Sequence, residues 1–171
     1  TMDGFRIISP DEIDGNTISM IGQGWMLISA EKDGKVNMMT ASWGGLGFMW
    51  NKPVAFVFIR PQRYTYGFAE AGEEMTLSFF DEEYRGMLRE MGAKSGRDTD
   101  KLALSGLTYD LSSPHSPVPN EAKLVLRCRK LYSDFLREEC FADPDTAKNN
   151  YRSGDYHKMY IAEITEVLSK D

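Results

Sequence analysis

Histidine and cysteine are scarce in this chain of 171 residues: His115, His157, Cys128 and Cys140 are the whole supply. Metal-type spacing and a second cysteine pair are both missing, so each cysteine reads as a buried apolar residue or a free thiol rather than half of a structural disulfide. With so few imidazoles and thiols no zinc site can be assembled, and no metal is expected. The common hydrolase signatures, GxSxG and HExxH, are absent, as are the GxGxxG and P-loop spacings of nucleotide folds. Long apolar runs are absent too, so no membrane span is expected. An excess of positive charge is also missing: 20 basic residues face 26 acidic ones, for a net charge of −6. That balance argues against a nucleic-acid partner bound through a broad basic face. The start, TMDGFRIISP, has no basic segment leading into an apolar one, so no signal peptide is expected and the cytoplasm is the default location.

What is present is a globular composition, 42% hydrophobic and 27% charged, in a length that suits one domain spanning residues 1–171. Neither repeats nor low-complexity blocks occur. Alternating apolar residues predict strands at 24–30, 36–43, 54–60, 74–80, 122–136 and 158–169. Asp33-Gly34 supplies a two-residue hairpin between the first two. Short helices are expected at 63–72, stopped by Gly72, at 81–92, with Asp81 as N-cap and Gly92 as terminator, and at 96–107. Pro114, Pro117 and Pro119 mark an extended loop. Strands interrupted by short helices, without a βαβ rhythm, predict a mainly β fold: a barrel with decorating helices rather than a Rossmann sheet.

Four stretches carry candidate chemistry. NMMTASWGGLGFMW (37–50) places the small residues Thr40, Ala41 and Ser42 ahead of three glycines, between Trp43 and Trp50. Small side chains let a ligand edge approach backbone N–H groups, and the indoles could wall a flat ring. Taken alone, the simpler reading is a strand ending in a glycine-rich turn with both tryptophans in the core. IRPQRYT (59–65) puts Arg60, Arg63, Tyr64 and Thr65 where a buried strand meets a helix start, a place that attracts anions. KSGRDTDK (94–101) alternates Lys94, Arg97 and Lys101 with Ser95, Asp98 and Asp100, either a solvated charged loop or a second basic loop over the same anion. GDYHKMY (154–160) sets His157 behind a Gly-Asp turn; His115, in the proline-rich loop, reads as exposed. The pairs Glu82–Glu83 and Glu138–Glu139 read as solvated charges.

Together these stretches resemble the flavin reductase-like family, and its flavoredoxin-type branch most. The shared motifs are N-x-M-T-A-S-W-G (37–44), W-N-K-P (50–53), R-P-x-R-Y-T (60–65), L-S-F-F (77–80), S-G-R-D-x-D-K (95–101) and G-D-Y-H-K-M-Y (154–160). The resemblance implies a split β-barrel of Greek-key-like connectivity that binds FMN, in a homodimer with the cofactor near the subunit interface. It places Thr40, Ala41, Ser42 and Trp43 at the ring edge, Arg63, Tyr64 and Thr65 at the phosphate, Ser78 and Phe79 along the cofactor, and Ser95, Arg97 and Lys101 near its tail; Asn37 and Arg60, in the same motifs, are further cofactor-binding candidates. Related reductases carry Gly-Asp-His for nicotinamide-nucleotide use. Here Tyr156 is inserted, and Asp155 and His157 are the corresponding candidates, His157 being the single candidate catalytic group. The implied activity is an NAD(P)H:flavin oxidoreductase with NADH or NADPH as co-substrate and a small-molecule or redox-protein electron acceptor. The alternative is an FMN electron carrier without a nicotinamide site.

Overall fold

A computed structural model describes residues 4–171. Among the described residues, ten strands and five short helices follow one another. β1 (Arg6–Ile8) and α1 (Thr17–Ser19) open it, and a π-helical turn over Met20–Gly24 leads to β2 (Met26–Lys32), β3 (Lys35–Ala41), β4 (Gly44–Met49) and β5 (Lys52–Ile59). Then come α2 (Tyr64–Ala71), β6 (Glu74–Phe79), α3 (Arg85–Ala93), α4 (Lys101–Ser105), the short strands β7 (Tyr109–Asp110) and β8 (Val118–Pro119), β9 (Leu124–Phe135), α5 (Pro144–Asn150) and β10 (Lys158–Ser169).

The main sheet is antiparallel, in the order β3-β2-β6-β9-β10-β5-β4. β10 is long enough to serve two neighbours on one side: its first half pairs with β5 from Lys158↔Ile59 to Glu163↔Val54, and its end pairs with β1. Register shifts between Ile161 and Ala162 and between Ile164 and Glu166 bend it against β9, as bulges do. Both faces of the sheet are covered, which is why the strand interiors carry apolar residues in succession rather than in strict alternation. One core gathers Ile28, Val57, Leu77, Leu126 and Tyr160. The other packs α3 and its neighbours, through Leu88 and Met91, against Leu27, Met38 and Val125.

Several local expectations change. The glycine-rich stretch is a strand, β4, at the sheet edge, and not a turn. Gly44 has φ +148°, and a Cβ there would lie 2.8 Å from the Phe56 carbonyl oxygen, so a bare backbone is what lets β4 close against β5. The reversal comes later, at Trp50-Asn51, with both φ values positive (56° and 58°). Trp43 and Trp50 are half exposed rather than in the core. The 81–92 segment divides into a 3-10 turn at Glu82–Tyr84 and α3, which runs through Gly92 to Ala93; Asp81 stands at the N-cap position without a side-chain cap bond. Gly92 is there because α3 crosses β3 closely: a Cβ would lie 3.3 Å from Cβ of Thr40. The next helix is only α4, capped by Asp100 through Ala103 N–H and ended by Gly106 in the left-handed region. Part of the proline-rich loop pairs as β8 with β7.

The Asp33-Gly34 hairpin stands as expected, with φ 52° and 78°. Both cysteines are free; Cys128 is buried in the first core, which pushes its thiol up to about 12, and Cys140 is exposed. His115 is exposed and lies 2.9 Å from Glu31 Oε1.

Candidate functional site

β3 ends in small residues because its last turn emerges from between the cores. Asn37 is still buried and donates through Nδ2 to Thr65 Oγ1 at 2.7 Å, which ties β3 to the start of α2. The Thr40 hydroxyl donates to the Leu88 carbonyl, so at this point only the backbone remains for a ligand. Thr40, Ala41 and Ser42 line a cleft of about 190 Å³, and Trp43, Phe58, Arg60, Arg63 and His157 complete its wall.

α2 begins beside this cleft. Arg63 occupies the N-cap position and makes no side-chain cap bond, which leaves amides of the first turn and the positive end of the helix unsatisfied. Burial lowers the pKa of Arg63. Lys101, at the start of α4, is only 2% exposed. Its ammonium donates to the Met91 carbonyl at 2.8 Å, and its pKa is pushed down to about 8, first by burial and then by the charge of Arg63. Among the described residues neither cation forms an ion pair with a carboxylate. Arg63, desolvated at the uncapped start of α2, and Lys101, desolvated at the start of α4 and subject to the charge of Arg63, would both be relieved by an added negative charge.

The loop carrying Ser95 and Arg97 folds over that start. Arg97 donates to the Gln62 carbonyl at 2.8 Å and lies 5.3 Å from the centroid of the Tyr64 ring. The Ser95 hydroxyl accepts from Arg97 N–H at 3.2 Å. Beyond Tyr64 a second cleft of about 620 Å³ opens, bordered by Asn37, Tyr64, Gly96, Arg97 and Lys101.

Arg60 lines the first cleft, but its guanidinium is engaged by Asp155 and by the Asn150 carbonyl at 3.0 Å. Gln62 donates to the same Asp155 oxygen at 2.8 Å, and these two partners hold the Asp155 carboxyl below the usual carboxylate range. His157 is buried among rings, 5.3 Å from Trp43, 6.3 Å from Phe58 and 5.4 Å from Tyr151 by centroid. Burial, reinforced by Arg60, pushes it down to about 4.

The structure therefore brings Thr40, Ala41, Ser42, Trp43, Arg60, Arg63 and His157 to one cleft, with Asn37, Tyr64, Thr65, Ser95, Arg97 and Lys101 next to it and Asp155 behind Arg60. Ser78 and Phe79 lie elsewhere. Ser78 is opposite Leu27 and Val125 in the sheet, fully buried, with no partner for its hydroxyl among the described residues; Phe79 points into the first core. Sequence reasoning missed Phe58 and Tyr151. Phe58 could have been found by alternation, two residues before Arg60 on the same strand face. Tyr151 carries no signal beyond its nearness to Gly154.

The comparisons agree with this fold. Residues 18–171 match the model of the flavin reductase like domain. A flavoredoxin from Methanosarcina acetivorans has a similar structure, with TM-score 0.66 and 21% identity over 85% of this chain and 68% of that one. So does an FMN-binding domain of a flavin reductases-like enzyme from Shewanella baltica OS155, with TM-score 0.69 and 17% identity over 99% and 79%. An FMN-binding protein from Thermus thermophilus gives TM-score 0.67 and 18% identity over 92% and 78%. No curated protein matches. With a fold of this topology, and with the family model covering residues 18–171, the chain belongs to the flavin reductase-like family, with flavoredoxin-type relatives.

Proposed function

We propose that the cleft binds FMN and that the protein is a flavin-dependent oxidoreductase reduced by NADH or NADPH. The observation that carries this reading is the pair formed by Arg63 at the uncapped start of α2 and Lys101 at the start of α4, two desolvated cations without a carboxylate partner among the described residues. A phosphate dianion satisfies both and the helix amides together. From that seat the strand end Thr40–Ser42 is the polar edge against which a flat ring system can lie, with Trp43, Phe58 and His157 on its flank. When bound, FMN supplies the hydride- and electron-accepting chemistry. The chain's residues position it and neutralise its tail, and no side chain is required as an acid or base. His157, neutral at pH 7, is suited to orienting a second ring and not to relaying a proton.

A second reading, an FMN electron carrier without a nicotinamide site, is favoured by one feature. Asp155 is spent on Arg60 and Gln62, and Nδ1 of His157 is spent on the Tyr151 hydroxyl. Flavoredoxins are among the similar structures. The deciding experiment is the absorption spectrum of the FMN-loaded protein without oxygen: bleaching by NADH or NADPH supports the reductase, and a spectrum that stays oxidised supports the carrier. The downstream acceptor in either case is a small molecule or a redox protein.

The same reading includes a homodimer. β4 is an edge strand, and Trp43, Phe48, Met49 and Trp50 along it are exposed at 48%, 72%, 39% and 50%. A second copy over this edge would shield them and close the open side of the cleft. Light scattering that gives the monomer mass with FMN present would reject it.

A further inference from the structure

We propose that Tyr151 is a positioning residue: its hydroxyl donates to Nδ1 of His157 and so fixes the imidazole as an N–H donor through Nε2, presented to a carbonyl oxygen of a ring bound in the first cleft. The ligand rests on the flavin reading above; the direction of the bond does not.

Two tautomers would satisfy the 2.7 Å contact between the Tyr151 hydroxyl and Nδ1, and the surroundings choose between them. Burial, reinforced by Arg60, keeps the imidazole neutral at pH 7, so its two nitrogens share one proton. If that proton sat on Nδ1, the phenol would have to accept, and its own hydrogen would be left in a buried space. Among the described residues the Tyr151 hydroxyl has no other partner, and a buried donor left unmade is costly. The guanidinium of Arg60, 5.1 Å from the centroid of the Tyr151 ring, also draws the phenol towards donating. With Nδ1 accepting, the hydrogen belongs on Nε2. That nitrogen has no partner among the described residues and is not sealed in, and His157 borders the cleft. Arg60 on the same wall is engaged by Asp155. His157 therefore offers this side a donor without charge, suited to a neutral carbonyl rather than to an anion.

Tyr151 is held for this task. Its N–H bonds the Ala147 carbonyl at 2.8 Å at the end of α5, and its carbonyl accepts from Gly154 N–H at 3.0 Å. Its ring lies 4.7 Å from that of Tyr156 and 6.1 Å from that of Phe141. Both members of the pair are thus fixed before a ligand arrives, which gives the Nε2 bond its direction.

The test is nitrogen NMR of isotope-labelled histidine in the whole chain at pH 7, with His115→Gln to tell the two imidazoles apart. His157 should show one tautomer, bare at Nδ1 and protonated at Nε2. Tyr151→Phe removes only the hydroxyl and should return His157 to a mixture of tautomers. Tyr156→Phe, at the neighbouring ring, should leave it fixed. Adding FMN, and then NAD+ to the FMN-loaded protein, should shift the Nε2 proton at one step: the first if a flavin carbonyl is the acceptor, the second if a nicotinamide carboxamide is. Tyr151→Phe should weaken that ligand about two- to tenfold, the share of one hydrogen bond. A proton on Nδ1 in the parent, or the same loss of order in both phenylalanine variants, would overturn the positioning role. An Nε2 proton indifferent to both additions, while the absorption spectrum shows FMN bound, would overturn the carbonyl assignment and leave the flavin reading intact. A protein that takes up no FMN would overturn the flavin reading and the ligand half of the inference with it.

Discussion

The hydroxyl of Tyr151 lies 2.7 Å from Nδ1 of His157, and both side chains are buried. Arg60 faces the pair, 5.1 Å from the centroid of the Tyr151 ring, and Asp155 holds Arg60 from behind. The burial of the imidazole and the neighbouring guanidinium disfavour its charged form, while Asp155 opposes them weakly, so the ring is held neutral down to about pH 4. In the unfolded chain it titrates near its ordinary value of about 6.5. Between those values the unfolded state takes up a proton that the folded state refuses. The stability His157 confers is therefore complete above about pH 6.5 and is lost as the pH falls towards 4. At roughly 1.4 kcal/mol per unit, the loss between pH 7 and pH 5 is about 2 kcal/mol. Urea unfolding at the two pH values should show it, and His157→Gln should flatten the difference. Equal differences in both proteins would show that His157 is not the group responsible.

Lys101 gives the opposite sign, in ligand binding. Its pKa of about 8 belongs to a chain without an anion in the seat. A phosphate dianion favours the ammonium, so binding and protonation are linked. FMN affinity should hold near pH 7 and fall by up to about tenfold per unit above pH 8, while riboflavin affinity stays level. Lys101→Met should bind FMN more weakly at pH 7 and lose the alkaline decline. An FMN profile that is flat to pH 9.5 in the parent protein would remove Lys101 from the seat.

Arg63→Ala separates the phosphate from the ring. A charge-assisted hydrogen bond from a half-buried guanidinium is worth about 1.5–3 kcal/mol, so FMN affinity should fall roughly 10- to 100-fold and riboflavin affinity hardly at all. Equal losses for the two ligands would place Arg63 at the ring or in the fold, not at the phosphate.

The strands β2, β3, β5, β6, β9 and β10, the first hairpin and α2 were legible in the sequence because each combines an apolar pattern with a local stop signal. β4 was not. Three glycines read as a turn when viewed alone, and only the partner strand explains them: Phe56 needs a bare backbone across from it. The true reversal, Trp50-Asn51, lacks glycine altogether and places an indole in the left-handed region, which local preference argues against. Arg63 and Lys101 could be picked out by residue type, but 38 positions separate them. That both lack a carboxylate partner among the described residues depends on where Asp98, Asp100 and Asp155 turn, and no spacing rule supplies that. Arg60 illustrates the same limit: it sits in the phosphate motif beside Arg63, yet Asp155 engages it. The serine of L-S-F-F lies beneath α3's side of the sheet and not at the cleft, because strand parity puts it with Leu27.

Gly96 offers a test of how the covering loop is held. A Cβ at this position would lie 2.4 Å from Oδ1 of Asn37 and 2.6 Å from Cδ2 of Tyr64. Both obstacles are side chains, but Asn37 is 5% exposed and bonded to Thr65, so it cannot swing aside without giving up that bond. Overpacking of this kind costs about 1–3 kcal/mol. Gly96→Ala should therefore lower stability by that amount and also weaken FMN binding, because the displaced groups are the ones that fix the start of α2 beside Arg63. Gly67→Ala provides the contrast in the same helix: nothing lies within 4 Å of its added Cβ, and its backbone is helical. It should raise stability by about 0.5–1 kcal/mol, with FMN affinity unchanged. Thermal unfolding and FMN titration of the two variants, side by side, check both halves. A Gly96→Ala protein as stable and as retentive of FMN as its parent would mean that the loop does not pack on Asn37 and Tyr64, and that Arg97 is not held over the seat.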